Sequence, residues 1–260
     1  MTTALSLYIP GESGLHRLHP LTKLALVASL LIAGFAIPEA YANYAIVVFI
    51  ILPLSIWGCI GRQLSASTWK VVWPFALSVF LIQGLFWRSG TQLISIGQVA
   101  LMREGVVFAL SSVGRILLVI SSFLLLAQTT RPDALMNSLV RLGLPASLTY
   151  IVVTTIQIVP RFQAKALTII DAQRSRGLET SGNMIRRARA LVPLVMPLVL
   201  GSLVDVEERA IAIESRAFSA RRTKTSLYNI PDSRPQSIFR WLLVGISLLL
   251  IAIRIWQSFR

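Results

Sequence analysis

The sequence predicts an all-α integral membrane protein with about five transmembrane helices and a pair of long amphipathic helices at the cytoplasmic face. Composition is the first reason: of 260 residues, 55% are hydrophobic and 14% charged, whereas a soluble domain carries about 25% charged residues. The second is a series of apolar runs near the roughly 20 residues a helix needs to cross a bilayer. The third is where the basic residues fall. The net charge of +14 is concentrated between runs, as expected of cytoplasmic loops facing anionic headgroups. That placement argues against a nucleic-acid partner and for the lipid bilayer as the main solvent. Mean hydropathy is +0.70.

Five candidate spans follow in order. Leu21–Ile37 is stopped by Pro38 and Tyr44–Ile60 contains Pro53. Val71–Trp87 holds Pro74 in its first turn, where a missing N–H does little harm. Gly105–Ala127 and Ile238–Trp256 complete the set. Trp57, Trp69, Trp73, Trp87, Trp241 and Trp256 all fall at or near run ends, the depth amphipathic rings prefer. Placing the N-terminus inside puts Arg17, Lys23, Arg62 and Lys70 in the cytoplasm. The Pro38–Asn43 and Arg88–Glu104 connections are then external, and the basic stretch from Gln128 to Ser237 internal. The expected location is a membrane, with no cleavable signal peptide.

The internal stretch reads as helices. Pro132–Leu142 is a short helix stopped by Gly143 and Pro145. Ala146–Arg176 is one long helix, apolar first and amphipathic after, with Gly177 as its left-handed cap. Thr180–Asn183 is a turn. Met184–Arg216 has a basic start, an apolar run broken by Pro193 and Pro197, and a charged end. The apolar parts of this pair are short for a crossing, so they are read as oblique inner-leaflet helices; a seven-span arrangement is the alternative. Residues 1–127 thus form a four-span membrane domain, 128–226 a helical cytoplasmic-face module, and 238–256 a final span.

Two stretches match in register forty residues apart. Ala172-Gln173-Arg174-Ser175-Arg176-Gly177-Leu178 is echoed by Ala212-Ile213-Glu214-Ser215-Arg216-Ala217-Phe218. Each places an Arg between small residues at a helix end. The bland reading is an Arg complementing the helix macrodipole, worth about 0.3–1 kcal/mol. The functional reading is a docking plug, because Arg keeps its charge and offers a rigid fork to a carboxylate. Arg115, near the middle of the fourth span, is the other candidate. A charge there faces protein or a water pocket, either as an anchor paired with a carbonyl or acid, or as part of a substrate path.

No phosphate-binding loop ending in Lys-Ser or Lys-Thr, no His-Glu-x-x-His and no Gly-x-Ser-x-Gly elbow is present, so neither ATP binding of that kind nor those hydrolytic chemistries are expected. Cys59 is the single cysteine, and His16 and His19 are the only histidines. No metal site, cofactor or catalytic residue is expected.

Taken together, several segments resemble the T components of energy-coupling factor transporters. Leu15-His16-Arg17-Leu18-His19-Pro20-Leu21-Thr22-Lys23-Leu24 is similar to that family's opening. Thr129-Thr130-Arg131-Pro132-Asp133-Ala134-Leu135 with Leu142-Gly143-Leu144-Pro145 resembles its connector, and Asp171–Gly177 its first Ala-Arg-Gly motif, with Ser215-Arg216-Ala217 where the second stands. The resemblance implies a non-catalytic coupling subunit of an importer for vitamins or metal ions. It would join two ABC ATPase subunits to a membrane-embedded, substrate-binding S component. Ser175, Arg176 and Gly177, with Ser215, Arg216 and Ala217, would seat in the ATPase grooves. Both triplets have Ser where the family has Ala, and the second has Ala for Gly; Ala217 would then have to take a positive φ, which Ala tolerates poorly. A membrane-embedded lipid or isoprenoid enzyme and a stand-alone secondary transporter are the alternatives; the first needs clustered acids or histidines, the second ionisable groups at mid-bilayer.

Overall fold

The computed structural model describes residues 8–37, 39–86, 91–96, 99–177, 183–218, 220 and 232–258. Its helices are α1 (Gly14–Arg17), α2 (Pro20–Ala36), α3 (Ala40–Ile46), α4 (Leu52–Trp57), α5 (Gly61–Phe86), α6 (Arg103–Thr129), α7 (Pro132–Arg141), α8 (Ala146–Ser175), α9 (Met184–Glu214) and α10 (Arg234–Ser258). A π-helical turn, Val47–Ile51, joins α3 to α4. The chain forms two compact units, one built on 6–144 and 229–260, the other on 145–228.

In the first unit α5, α6 and α10 are long and apolar enough to cross a membrane, and α2 and the 41–57 segment are shorter apolar helices. These correspond to the five expected spans, with three differences. The third helix begins at Gly61, ten residues before the apolar run, so Pro74 lies inside it rather than in its first turn. The second span is interrupted by the π-helical turn, and Pro53 opens α4 at a position where its missing N–H is harmless. The Arg88–Glu104 connection contains an antiparallel hairpin, β1 (Gln92–Ile96) with β2 (Val99–Met102), so the all-α bundle carries one small two-stranded ribbon.

α6 is the centre of this unit: α5, α3 and α2 pack on it, while α10 packs on α2. Leu15, Leu30, Ile51, Ile60, Leu64, Leu118, Leu124 and Leu125 form the core. Small hydroxyl and amide residues share the interior, among them Thr22, Asn43, Ser55, Ser121 and Ser122. The hydroxyls of Ser55 and Ser121 donate to carbonyls one turn back. Large apolar side chains face outward instead, including Trp69, Trp73, Phe75 and Ile82 on α5 and Trp241, Leu248 and Leu249 on α10. Outward bulk over an interior rich in small residues is the pattern of helices packed in lipid. Gly34 on α2 is where packing is tightest: a Cβ there would collide with Leu118 Cδ2 and stand 2.9 Å from Asn43 Oδ1. Gly34→Ala is expected to lower stability by about 1–3 kcal/mol, read as a reduced unfolding temperature in detergent.

The N-terminal segment is sewn into the bundle. A neutral His16 ring with its proton on Nε2 satisfies both of its contacts, donating to Ile9 O at 3.0 Å and accepting from Ser13 Oγ at 2.6 Å. His19 caps α2, its Nδ1 accepting from Leu21 N–H, and its own N–H reaches Gln236 Oε1 on α10 at 2.9 Å. Burial holds the His19 imidazole below its ordinary pKa; Asp232 opposes this, while Arg240 and Arg141 add to it. Lys23 is buried, and its ammonium donates to Thr129 O at 2.7 Å and His16 O at 3.3 Å. It thereby satisfies a carbonyl at the C-terminal end of α6, where the helix dipole favours a cation.

In the second unit, α8 and α9 run as two single helices of 30 and 31 residues. As the long-helix reading expects, α9 continues through Pro193 and Pro197, and α8 through Pro160. The expected turn at Thr180–Asn183 falls outside the described residues except for Asn183, as do Arg221, Arg222 and Lys224.

Candidate functional site

α8 and α9 end alike. In α8 the Ser175 hydroxyl folds back on Asp171 O at 3.1 Å, Arg176 N–H donates to Gln173 O at 3.1 Å, and Gly177 N–H to Arg174 O at 3.0 Å. In α9 the Ser215 hydroxyl folds back on Ala212 O at 3.1 Å, Arg216 N–H donates to Ile213 O at 3.2 Å, and Ala217 N–H to Glu214 O at 2.9 Å. Phe218 N–H then reaches Ile213 O at 3.2 Å, completing a Schellman closure. Gly177 has φ +91° and Ala217 has φ +53°. Each repeat therefore lifts one Arg on a helix cap and turns the chain away by a left-handed residue directly after it.

The six residues singled out from the sequence, Ser175, Arg176, Gly177, Ser215, Arg216 and Ala217, are all exposed. Neither Arg176 nor Arg216 is paired with an acid among the described residues. Among the described residues, Asp171 pairs with Arg174 at 3.6 Å and Glu214 is exposed. Exposed guanidinium forks at two helix ends, unpaired among the described residues, have the chemistry to meet carboxylates or carbonyls of another macromolecule.

The left-handed Ala217 is a strained position. An L residue there costs about 1–2 kcal/mol, partly offset by the larger entropy a Gly would carry into the unfolded chain, about 0.4–1 kcal/mol. Ala217→Gly is expected to stabilise the end of α9 by up to ~1 kcal/mol, and Gly177→Ala to destabilise the end of α8 by a similar amount. Nothing lies within 4 Å of a Cβ built on Gly177, so the backbone alone sets that cost. Hydrogen exchange of the Gly177, Ala217 and Phe218 amides is the measurement.

Arg115 belongs to the other unit. It lies midway along α6, half-buried, and its Nε is enclosed without a hydrogen-bond partner. Neither an acid nor a carbonyl pairs with it among the described residues. No group of three or more His, Cys, Asp or Glu residues is placed to hold a metal among the described residues.

Sequence reasoning missed two links between α8 and α9. Lys165 Nζ donates to Gly201 O at 2.8 Å and to Asp205 Oδ2 at 2.7 Å. Tyr150 packs on Phe218 with ring centroids 5.3 Å apart. A glycine inside an otherwise regular helical run was the one available signal for the first link. An open cleft of about 960 Å³ lies between the two helices, walled by Ile151, Ile158, Phe162 and Val206, with Arg161 and Arg209 among its charged lining.

Fold and site together define an integral membrane protein that presents two like arginine caps on a long helix pair. Residues 11–227 match the cobalt transport protein family CbiQ, and the chain belongs to that family. It is 30% identical over 234 residues to the energy-coupling factor transporter transmembrane protein EcfT of Thermosediminibacter oceani, covering 85% of this chain and 86% of that one. Proteins of the same name from Listeria innocua and Brevibacillus brevis are 27% and 28% identical over 230 and 240 residues, covering 85% and 86% of this chain and 86% and 88% of theirs. The chain is thus a transmembrane component of the energy-coupling factor transporter type.

Proposed function

We propose that this chain couples two ABC ATPase subunits to a membrane-embedded S component, in an importer whose cargo is a vitamin or metal ion. The observation that carries the reading is the repeated cap: the same backbone hydrogen bonds at the Arg and the residue after it, and the same left-handed turn, present an exposed Arg at the end of each long helix. The chain hydrolyses no ATP itself. Closure of the ATPases on ATP moves the Arg176 and Arg216 caps, and α8 and α9 pass that motion to the S component through their apolar faces. The caps lie in the cytoplasm with the N-terminus, in a prokaryotic cell membrane, with residues 128–226 as the coupling module between the four-span domain and the last span. Strain held at Ala217 fits a contact loop, since such strain gathers at functional positions.

The test is co-purification from the native host, with the tagged chain in mild detergent. ATPase subunits and an S component are expected with the unmodified protein. Substrate uptake by this chain alone in liposomes would overturn the proposal in favour of a self-contained transporter.

A further inference from the structure

Lys165 and Asp205 stand forty residues apart, the same interval that separates Ser175 from Ser215 and Arg176 from Arg216. They occupy equivalent places in the two repeats, carry opposite charge, and pair with each other at 2.7 Å. Arg176 lies eleven residues beyond Lys165, and Arg216 eleven beyond Asp205. Eleven residues are close to three helical turns, so each Arg shares a helix face with its own half of the ion pair, about 16 Å along the axis. The Tyr150–Phe218 contact brings the start of α8 to the end of α9, so the helices run antiparallel and the caps lie on opposite sides of the pair, up to about 33 Å apart.

Gly201 makes this junction possible. A Cβ at 201 would stand 2.8 Å from both Lys165 Cε and Nζ, so any side chain there pushes the ammonium off the Gly201 carbonyl. Glycine inside a helix is otherwise a handicap. With the two side chains 33% and 58% exposed, the ion pair contributes little to stability. A double contact, to one carboxylate and one carbonyl, fixes geometry instead.

We propose that Lys165, Gly201 and Asp205 form a crossing clasp, midway between the two caps, that sets the spacing of Arg176 and Arg216 so that both engage an ATPase pair together. This rests on the coupling role above. Two sites held at the right separation bind far more tightly than either alone, by about 10²–10⁴-fold; a loosened crossing forfeits part of that gain and leaves each cap unchanged. The clasp residues are positioning residues and touch no partner themselves.

The experiment uses the full chain in lipid nanodiscs and measures its affinity for the ATPase subunits by biolayer interferometry. Lys165→Met and Gly201→Ala are each made with both caps intact and again with Arg216→Glu, which leaves one working cap. With both caps, each clasp variant is expected to bind at least about tenfold more weakly. With one cap, the same variants are expected to bind within about twofold of the one-cap parent, since spacing is irrelevant to a single contact. Gly201→Ala is expected to weaken binding while raising helix stability, a combination that loss of folding cannot produce. Equal losses in both backgrounds, or no loss with both caps, would overturn the clasp. Failure of the coupling role looks different: the unmodified chain does not bind the ATPases, or binds them equally well with Arg176→Glu plus Arg216→Glu.

Discussion

Arg176→Glu combined with Arg216→Glu is expected to abolish recovery of ATPase subunits with the chain, while leaving its expression and helical content unchanged. Both side chains are exposed and unpaired among the described residues, so neither supports the fold. The caps are closed by backbone hydrogen bonds that do not involve the guanidinium groups. A charged side chain buried against an opposite charge on docking costs about 2–5 kcal/mol when lost, because its partner is left desolvated and alone. One reversal should then raise the dissociation constant by about 30-fold to several thousand-fold, and reversal adds repulsion to that loss. Single variants should retain traces of complex and the double variant none. Full recovery of ATPases with the double variant would show that the caps are not the contact.

Replacing Lys23 is expected to have the largest effect on stability. The side chain is 6% exposed and its ammonium reaches two carbonyls, one of them on the last residue of α6. Lys23→Ala removes the stem as well as the charge, and large-to-small changes at buried positions cost about 2–5 kcal/mol. Lys23→Met keeps most of the stem and loses the hydrogen bonds, about 1–3 kcal/mol for the orphaned acceptors, set against relief from burying an ammonium. The expected order of unfolding temperature in one detergent is wild type, then Met, then Ala. A Met variant as stable as wild type would show that the ammonium is a net burden rather than a tie.

Much of the membrane unit was legible because lipid imposes simple demands on length and composition. The five apolar segments correspond to apolar helices, and the long pair was readable from start to finish: Ala146–Ser175 and Met184–Glu214 lie within two residues of the expected ends. Hydropathy failed where a helix outran its apolar part. Arg62, Gln63, Ser65 and Lys70 made the start of α5 look like a loop, yet helical hydrogen bonds ignore side-chain polarity at an interface, so Pro74 was misplaced in its element. Pro193 and Pro197 each remove a rung of the helical ladder, yet α9 runs through both. The β1–β2 ribbon rests on backbone pairing across a turn, which leaves a weak trace in so short a stretch. At the caps, residue types and spacing placed both Arg side chains at helix ends; the departure from Gly put the backbone at 217 in question, and the structure keeps the positive φ there in spite of the Ala. The contact at Lys165 left no trace but Gly201 inside the α9 run, because contact across two helices depends on their register in space.

The positive φ after Arg216 also limits which sequences this cap accepts. With a dihedral of +53° at residue 217, a β-branched side chain is strongly disfavoured, Gly is free of strain, Asn and Asp carry less of it, and Ala bears the full cost of a Cβ. Homologous chains that build the same hook should therefore vary freely at neighbouring surface sites, favour Gly and Asn here, and avoid Val, Ile and Thr.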